Sequence, residues 1–217
     1  MKSNRFLILT TIICILPMIL GIVFYNKLPD EVITHWDAEG VADGYSEKNF
    51  AVFGLPLIMA GLNILLHFKI NNDPKYERMG RMIVLISKLT VPVISVLMIS
   101  ASFIYSIEDY KPSVSVTKIV LILVSLLIIL MGNYMPKCRQ NYTVGIKLPW
   151  TLDDEDNWNK THRLAGYIWM AAGIIMLIFT LLDKVNVYSM IILIVFISAV
   201  PAVYSYLLYR NNKIDKK

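Results

Sequence analysis

Six long apolar runs separated by polar connectors dominate the chain, at 6–25, 50–68, 82–107, 116–135, 164–182 and 187–209. Each is rich in Ile, Leu, Val, Met and Phe and shows no alternation of apolar and polar positions. A bilayer core needs about 20 consecutive apolar residues per helix, whereas a membrane barrel shows ten-residue alternating segments. The pattern therefore predicts six membrane-spanning helices. Pro17, Pro56, Pro92 and Pro201 fall inside runs, where membrane helices accommodate proline as a kink.

Composition points to the same solvent. Of 217 residues, 56% are hydrophobic and 17% charged, with a mean hydropathy of +0.58. A soluble domain is about 25% charged, and a monomer of this size cannot hide so much apolar surface from water. Disorder is excluded, since it requires low hydrophobicity and high charge. The net charge of +5 would suit nucleic acid, but no dense basic run with interleaved aromatics is present, and no direct nucleic-acid contact is expected. Cys14 lies in the first run and Cys138 in a polar segment, too few for a disulfide framework. The first run is long and lacks a small-residue exit, so it reads as an uncleaved span.

Lys and Arg set the direction. With the N-terminus inside, fifteen of them fall on the cytoplasmic side and five outside, with Lys88 within a span. This is a positive-inside bias. The expected fold is all-α and polytopic, with six transmembrane helices and both termini cytoplasmic. Three regions are expected. Residues 1–68 hold the first two spans and an acidic outer loop, 69–115 a basic cytoplasmic loop and the third span, and 116–217 the last three spans and a patterned inner loop at 136–163.

The outer loop carries Asp30, Glu31, Asp37, Glu39, Asp43 and Glu47 against Lys27 and Lys48. The run Val32-Ile33-Thr34 before His35-Trp36, with Gly40 and Gly44 as turn residues, suggests a small hairpin. Asp37-x-Glu39-Gly40 opens like a calcium loop, but Val41 and Lys48 stand where that loop needs its later ligands. No metal and no cofactor are expected. An acidic loop with aromatic anchors suits a cationic amphipathic ligand, which makes His35, Trp36, Gly40 and Asp43 candidate ligand-binding residues.

In the inner loop, Pro136 ends span four and 141–148 reads as extended and turn-rich. Thr151 reads as a helix N-cap with Asp154 at the capping-box position. Trp158, Thr161, His162 and Ala165 then recur at helical spacing. Asn141, Trp150, Trp158, Thr161 and His162 are expected to gather into an ordered cytoplasmic cap that docks a partner. His162 alone could act as a base, but no second titratable group converges on it at ligand or catalytic spacing. Lys88 is the one charged residue well inside a span, close enough to the cytoplasmic end to snorkel. Asn63, Ser95 and Ser102 read as helix–helix glue.

The inner stretch Gly132-Asn133-Tyr134-Met135-Pro136, Asn141-Tyr142, Gly145-Ile146-Lys147-Leu148-Pro149-Trp150-Thr151-Leu152 and Trp158-Asn159-Lys160-Thr161-His162-Arg163 resembles the signature of the SdpI family. Leu28-Pro29, His35-Trp36, Gly40, Asp43 and Lys48 resemble the domain of unknown function that often precedes it. Lys147-Leu148 departs from the Arg-Thr usual in the family. The resemblance implies a non-enzymatic immunity and receptor protein of the bacterial cytoplasmic membrane. Such a protein guards the cell against a secreted peptide toxin outside and holds a repressor at the membrane inside. Two other readings stay open: a transporter or channel, and a membrane enzyme using His162.

Overall fold

The computed structural model describes residues 4–37, 40–107 and 115–214. Glu39, together with Lys2, Lys111, Lys216 and Lys217 of the charge count, lies outside the described residues. Among those described, six helices are long and apolar enough to cross a membrane, and the chain is a multi-pass membrane protein. It divides into two compact units, Met1–Asn71 with Val84–Ile119 and Asn72–Ile83 with Val120–Lys217.

The first unit opens with α1 (Asn4–Val23), followed by a two-stranded antiparallel hairpin of β1 (Glu31–Trp36) and β2 (Ala42–Glu47). A five-residue π-helical turn, Phe50–Gly54, leads into α2 (Leu55–Asn71). Pro56 stands just inside α2 and lacks the N–H that would bond back into that turn. Most of α3 (Arg81–Ser106) completes the unit. Its core is Leu28, Val32, Ala51, Val52, Ile99 and Phe103. Val32 is fully buried, so the hairpin is anchored into the helices by its one inward aliphatic residue. Ile8, Ile12, Ile19, Leu65 and Phe68 remain exposed, as lipid-facing positions should.

Polar side chains join these helices where apolar contact gives no net gain over lipid. Asn63 donates to the hydroxyls of Thr10 and Thr11 at 3.0 Å each, and Ser95 donates to the Cys14 carbonyl at 2.8 Å. Lys88 does not reach solvent: it is 0% exposed, and its Nζ donates to Asn71 Oδ1 at 2.6 Å.

The second unit contains most of α4 (Val116–Tyr134), a 3₁₀ turn at Met135–Lys137, an extended stretch, α5 (Pro149–Asp153), α6 (Glu155–Leu181) and α7 (Val187–Ile214). A Cβ on Gly166 would stand 2.8 Å from the Gly132 carbonyl and 2.6 Å from Pro136 Cδ. The glycines let α4 and α6 approach to backbone contact there, the usual device of membrane helix crossings.

One sequence expectation is corrected here. The helix that carries the 158–165 stripe runs straight into span five as one element, Glu155–Leu181, starting ahead of the apolar run at 164. The N-cap of that element is Asp154, not Thr151: Asp154 Oδ1 accepts from the Asp156 and Asn157 amides at 2.9 and 3.2 Å. Thr151 lies inside α5, which starts at Pro149 because a proline gives up no helical hydrogen bond at the first position. Asp154 then turns to an extended conformation and separates the two helices.

Candidate functional site

The hairpin holds all four ligand-binding candidates. Gly40 closes its turn at φ +85°, in the left-handed region that favours glycine. The Asp37 side chain accepts from the Val41 amide at 2.7 Å and braces the same turn. His35 lies across from Gly44, and its Nδ1 meets Asp43 Oδ1 at 2.5 Å with both side chains well exposed. Trp36 turns the other way and packs edge-on against Tyr105 of α3, with centroids 6.3 Å apart. The structure thus gathers His35 and Asp43 on the open side and leaves Trp36 as a partly buried anchor. The backbone N–H of Ile33 donates to Ser106 Oγ at 2.9 Å, so β1 is tied to the end of α3 as well.

In the cap formed by 138–163, the expected helical stripe of α6 is real, and it faces into the protein. Asn157, Trp158, Thr161, His162 and Ala165 are all buried. The Trp158 and His162 rings stack with centroids 4.0 Å apart. Trp158 Nε1 donates to the Cys138 carbonyl at 2.6 Å. His162 Nδ1 lies 2.8 Å from the Trp158 carbonyl and must donate to it, while Nε2 accepts from the Ile146 amide at 3.0 Å. A ring nitrogen that accepts carries no proton, so these bonds fix the neutral imidazole with Nδ1 protonated. Neither nitrogen retains a free lone pair for a substrate or a metal.

Gly145 explains why the extended stretch can come so close. Its φ is +117°, and a Cβ there would stand 2.5 Å from His162 Nε2 and 3.0 Å from the Trp158 ring. The stretch wraps over the stacked pair with hydrogen in place of a side chain. Asn141 shapes the preceding turn, its Oδ1 accepting from the Thr143 and Val144 amides at 2.9 and 2.7 Å. Cys138 sits beneath it; burial pushes its thiol up to about 11, against the opposing effect of the Asn141 amide that donates to its sulfur. The thiol is therefore protonated and inert near neutral pH.

Trp150 does not join the Trp158–His162 pair. Its indole donates to Ser205 Oγ at 2.8 Å and lies against Tyr206 and Tyr209 of α7. Ser205 in turn donates to Asn157 Oδ1 at 2.7 Å, which also accepts from Thr161 at 3.0 Å, and Asn157 Nδ2 returns a bond to the Ser205 carbonyl at 2.9 Å. The network ties α5, α6 and α7 together, and every bond within it has a named donor and acceptor.

Sequence reasoning missed four members of this cap. Asn157 and Ser205 have just been placed. Gln140 Nε2 donates to the Thr151 and Leu152 carbonyls at 2.9 and 2.8 Å, and its Oε1 accepts from Lys75 Nζ. Asp73 is only 6% exposed. Its Oδ2 accepts from the Tyr142 amide at 2.9 Å and the Thr143 hydroxyl at 2.6 Å, and its Oδ1 from the Lys75 amide at 2.8 Å. The available signal was Asp73-Pro74, a dipeptide that favours turn initiation. Replacing Asp73 with Asn removes acceptor capacity from a site that supplies three donors. Each hydrogen bond to a charged group is worth about 1.5–3 kcal/mol, so D73N should lower the cap's stability by about 2 kcal/mol. Hydrogen exchange at the Tyr142 and Lys75 amides, accelerated relative to the parent chain, is the measurement.

Both patterned segments have counterparts among known proteins. Residues 137–206 match the SdpI/YfhL protein family. Residues 12–60, which include the hairpin, match a domain of unknown function, DUF1648. Along nearly its whole length the chain is similar to "Immunity protein SdpI" of Bacillus subtilis (strain 168), at 26% identity over 212 residues, covering 97% of this chain and 98% of the relative. No solved structure matches. The SdpI-like region thus contains α5, α6, most of α7 and the full Asn157–Ser205 network, and its membrane setting is bacterial.

Proposed function

We propose that this chain is an immunity and receptor protein that protects a bacterial cell against a secreted peptide toxin by binding it, without turnover. The single observation that carries the reading is the similarity over 97% of the chain to a protein named for immunity. The geometry supports it. The hairpin presents an exposed acidic face, and His162, the one plausible base of the patterned loop, has both nitrogens engaged.

With six spans, the hairpin between spans one and two and the cap between spans four and five emerge on opposite sides of the bilayer. The excess of Lys and Arg on one set of connectors supports a hairpin outside and both termini inside. His35, Trp36, Gly40 and Asp43 form the toxin-facing element. His35 and Asp43 are offered directly, Gly40 sets the turn, and Trp36 seats the hairpin on α3. On the inner side, a repressor docks on the surface of the cap. Asn141, Trp158, Thr161 and His162 lie beneath that surface, and with Trp150 they hold the loop whose Tyr142, Lys147 and Pro149 are exposed.

The test is survival of a host sensitive to a secreted cationic peptide toxin when this chain is expressed. The parent chain should protect. The double variant W36A/D43A should insert to the same level and lose protection by about tenfold or more in toxin titre, the factor that about 1.4 kcal/mol of binding represents. Undiminished protection by that variant would remove the hairpin from the mechanism.

A further inference from the structure

The two edges of the hairpin are treated differently. The outer edge of β1 is closed, because the Ile33 amide points away from β2 and donates to Ser106 Oγ. The outer edge of β2 is open around Tyr45 and Glu47: the sheet has two strands, among the described residues no backbone–backbone hydrogen bond joins β2 to anything but β1, and the Ala42 carbonyl accepts only from the nearby Tyr45 hydroxyl at 3.3 Å. Lys48 donates to the Asp30 carbonyl at 2.9 Å, and Val32 lies opposite Ser46. By the two-residue alternation of an antiparallel ladder, the N–H and C=O of Tyr45 and Glu47 therefore point outward. An unpaired edge of this kind is a template for another strand.

The side chains specify what that strand must carry. Asp43, Tyr45 and Glu47 stand exposed on one face, while Ala42, Gly44 and Ser46 make a small-residue, partly buried opposite face. Glu31 and Glu47 are directly opposed across the ladder, a like-charge pair that is unfavourable without a cation nearby. Of the two lysines in the loop, Lys48 is already engaged with Asp30 and lies over Tyr25.

We infer that β2 binds its ligand by strand addition: an extended cationic peptide segment pairs along the Tyr45–Glu47 edge. Alternate Lys or Arg side chains meet Asp43, Glu47 and Glu31, and the intervening apolar ones lie over Ala42, Gly44 and Ser46. This rests on the peptide-binding reading above and adds the mode of recognition and the ligand pattern. Main-chain bonds supply affinity and the alternating side chains supply specificity.

The probe is a capped dodecapeptide of alternating Lys and Val, titrated onto the full chain in zwitterionic phosphatidylcholine nanodiscs. Two further versions are N-methylated at every Lys amide or at every Val amide, each of which blocks one edge of the peptide and leaves its charge intact. The parent peptide should bind, and at least one methylated version should bind about tenfold more weakly, the effect of losing main-chain hydrogen bonds. Y45P removes an outward amide and no ladder bond, so it should reproduce that loss, while Y45A retains most of the affinity. The methylated peptides act on the unaltered chain, so the comparison stands even where Y45P disturbs the hairpin. Equal binding by all three peptides overturns strand addition, and so does failure of the parent peptide to bind. Neither result touches the survival test, in which protection lost with W36A/D43A upholds the immunity reading independently.

Discussion

Gly145→Ala should dismantle the cap formed by 138–163. At φ +117° an L side chain is strained by about 1–3 kcal/mol. The added methyl also lands 2.5 Å from His162 Nε2 and 3.0 Å from Trp158, and overpacking a dense site costs about 1–3 kcal/mol more. The stretch cannot lift away cheaply, because the Ile146 amide would then leave Nε2, and Thr151 would lose the Ile146 carbonyl it holds at 2.8 Å. The expected total is about 3–4 kcal/mol. It should appear as a lower thermal midpoint in detergent and as faster hydrogen exchange through 138–152, with the helical content of the spans unchanged. A fully protected 138–152 segment in G145A would contradict the packing described.

Trp158→Ala should be comparably severe for a different reason. Truncating a buried Trp costs about 3–5 kcal/mol through lost contact and the cavity left behind, and Trp158 is the largest fully buried side chain among the described residues. It packs with Ile83, Cys138, Val144 and Leu152, stacks on His162, and satisfies the Cys138 carbonyl. Removing it opens the chamber around Cys138, whose thiol is otherwise inert. Alkylation of Cys138 in W158A should therefore accelerate strongly, with Cys14 in the same chain as the internal reference. The same alkylation rate in parent and variant would show that Trp158 is not what seals the thiol.

Much of this was legible in the sequence because lipid imposes a simple rule. Each span must be long and apolar, and the ends of the runs came within a few residues of the helices wherever a polar connector was abrupt. The exception is informative. The apolar run of span five begins only at 164 because 155–163 is polar, yet hydrogen bonding and the Asp154 cap carry the helix nine residues further, beyond its apolar part. The stripe of Trp158, Thr161, His162 and Ala165 was readable from its period. What the period could not reveal was what covers it: a loop with a left-handed glycine, whose partners lie 13 and 17 residues away. Asp73, Gln140 and Ser205 were invisible for a related reason. Each is a single polar residue in an unremarkable context, and its role comes wholly from a neighbour distant in sequence. Trp150 was grouped with Trp158 by residue type, but its indole N–H found Ser205 instead.

The manner in which α7 is held bears on how the chain is built in the cell. Only 11% of its most apolar stretch is buried, and between helices in lipid such contact adds little. Its firm attachments are polar: Ser205 to Trp150 and Asn157, the Ile197 carbonyl to Trp169 Nε1 at 3.0 Å, and Asn212 to Asp154. All of those partners sit on α5, α6 or the Asp154 turn between them, which leave the ribosome first. The last span is thus latched by polar groups that all lie on segments synthesised before it.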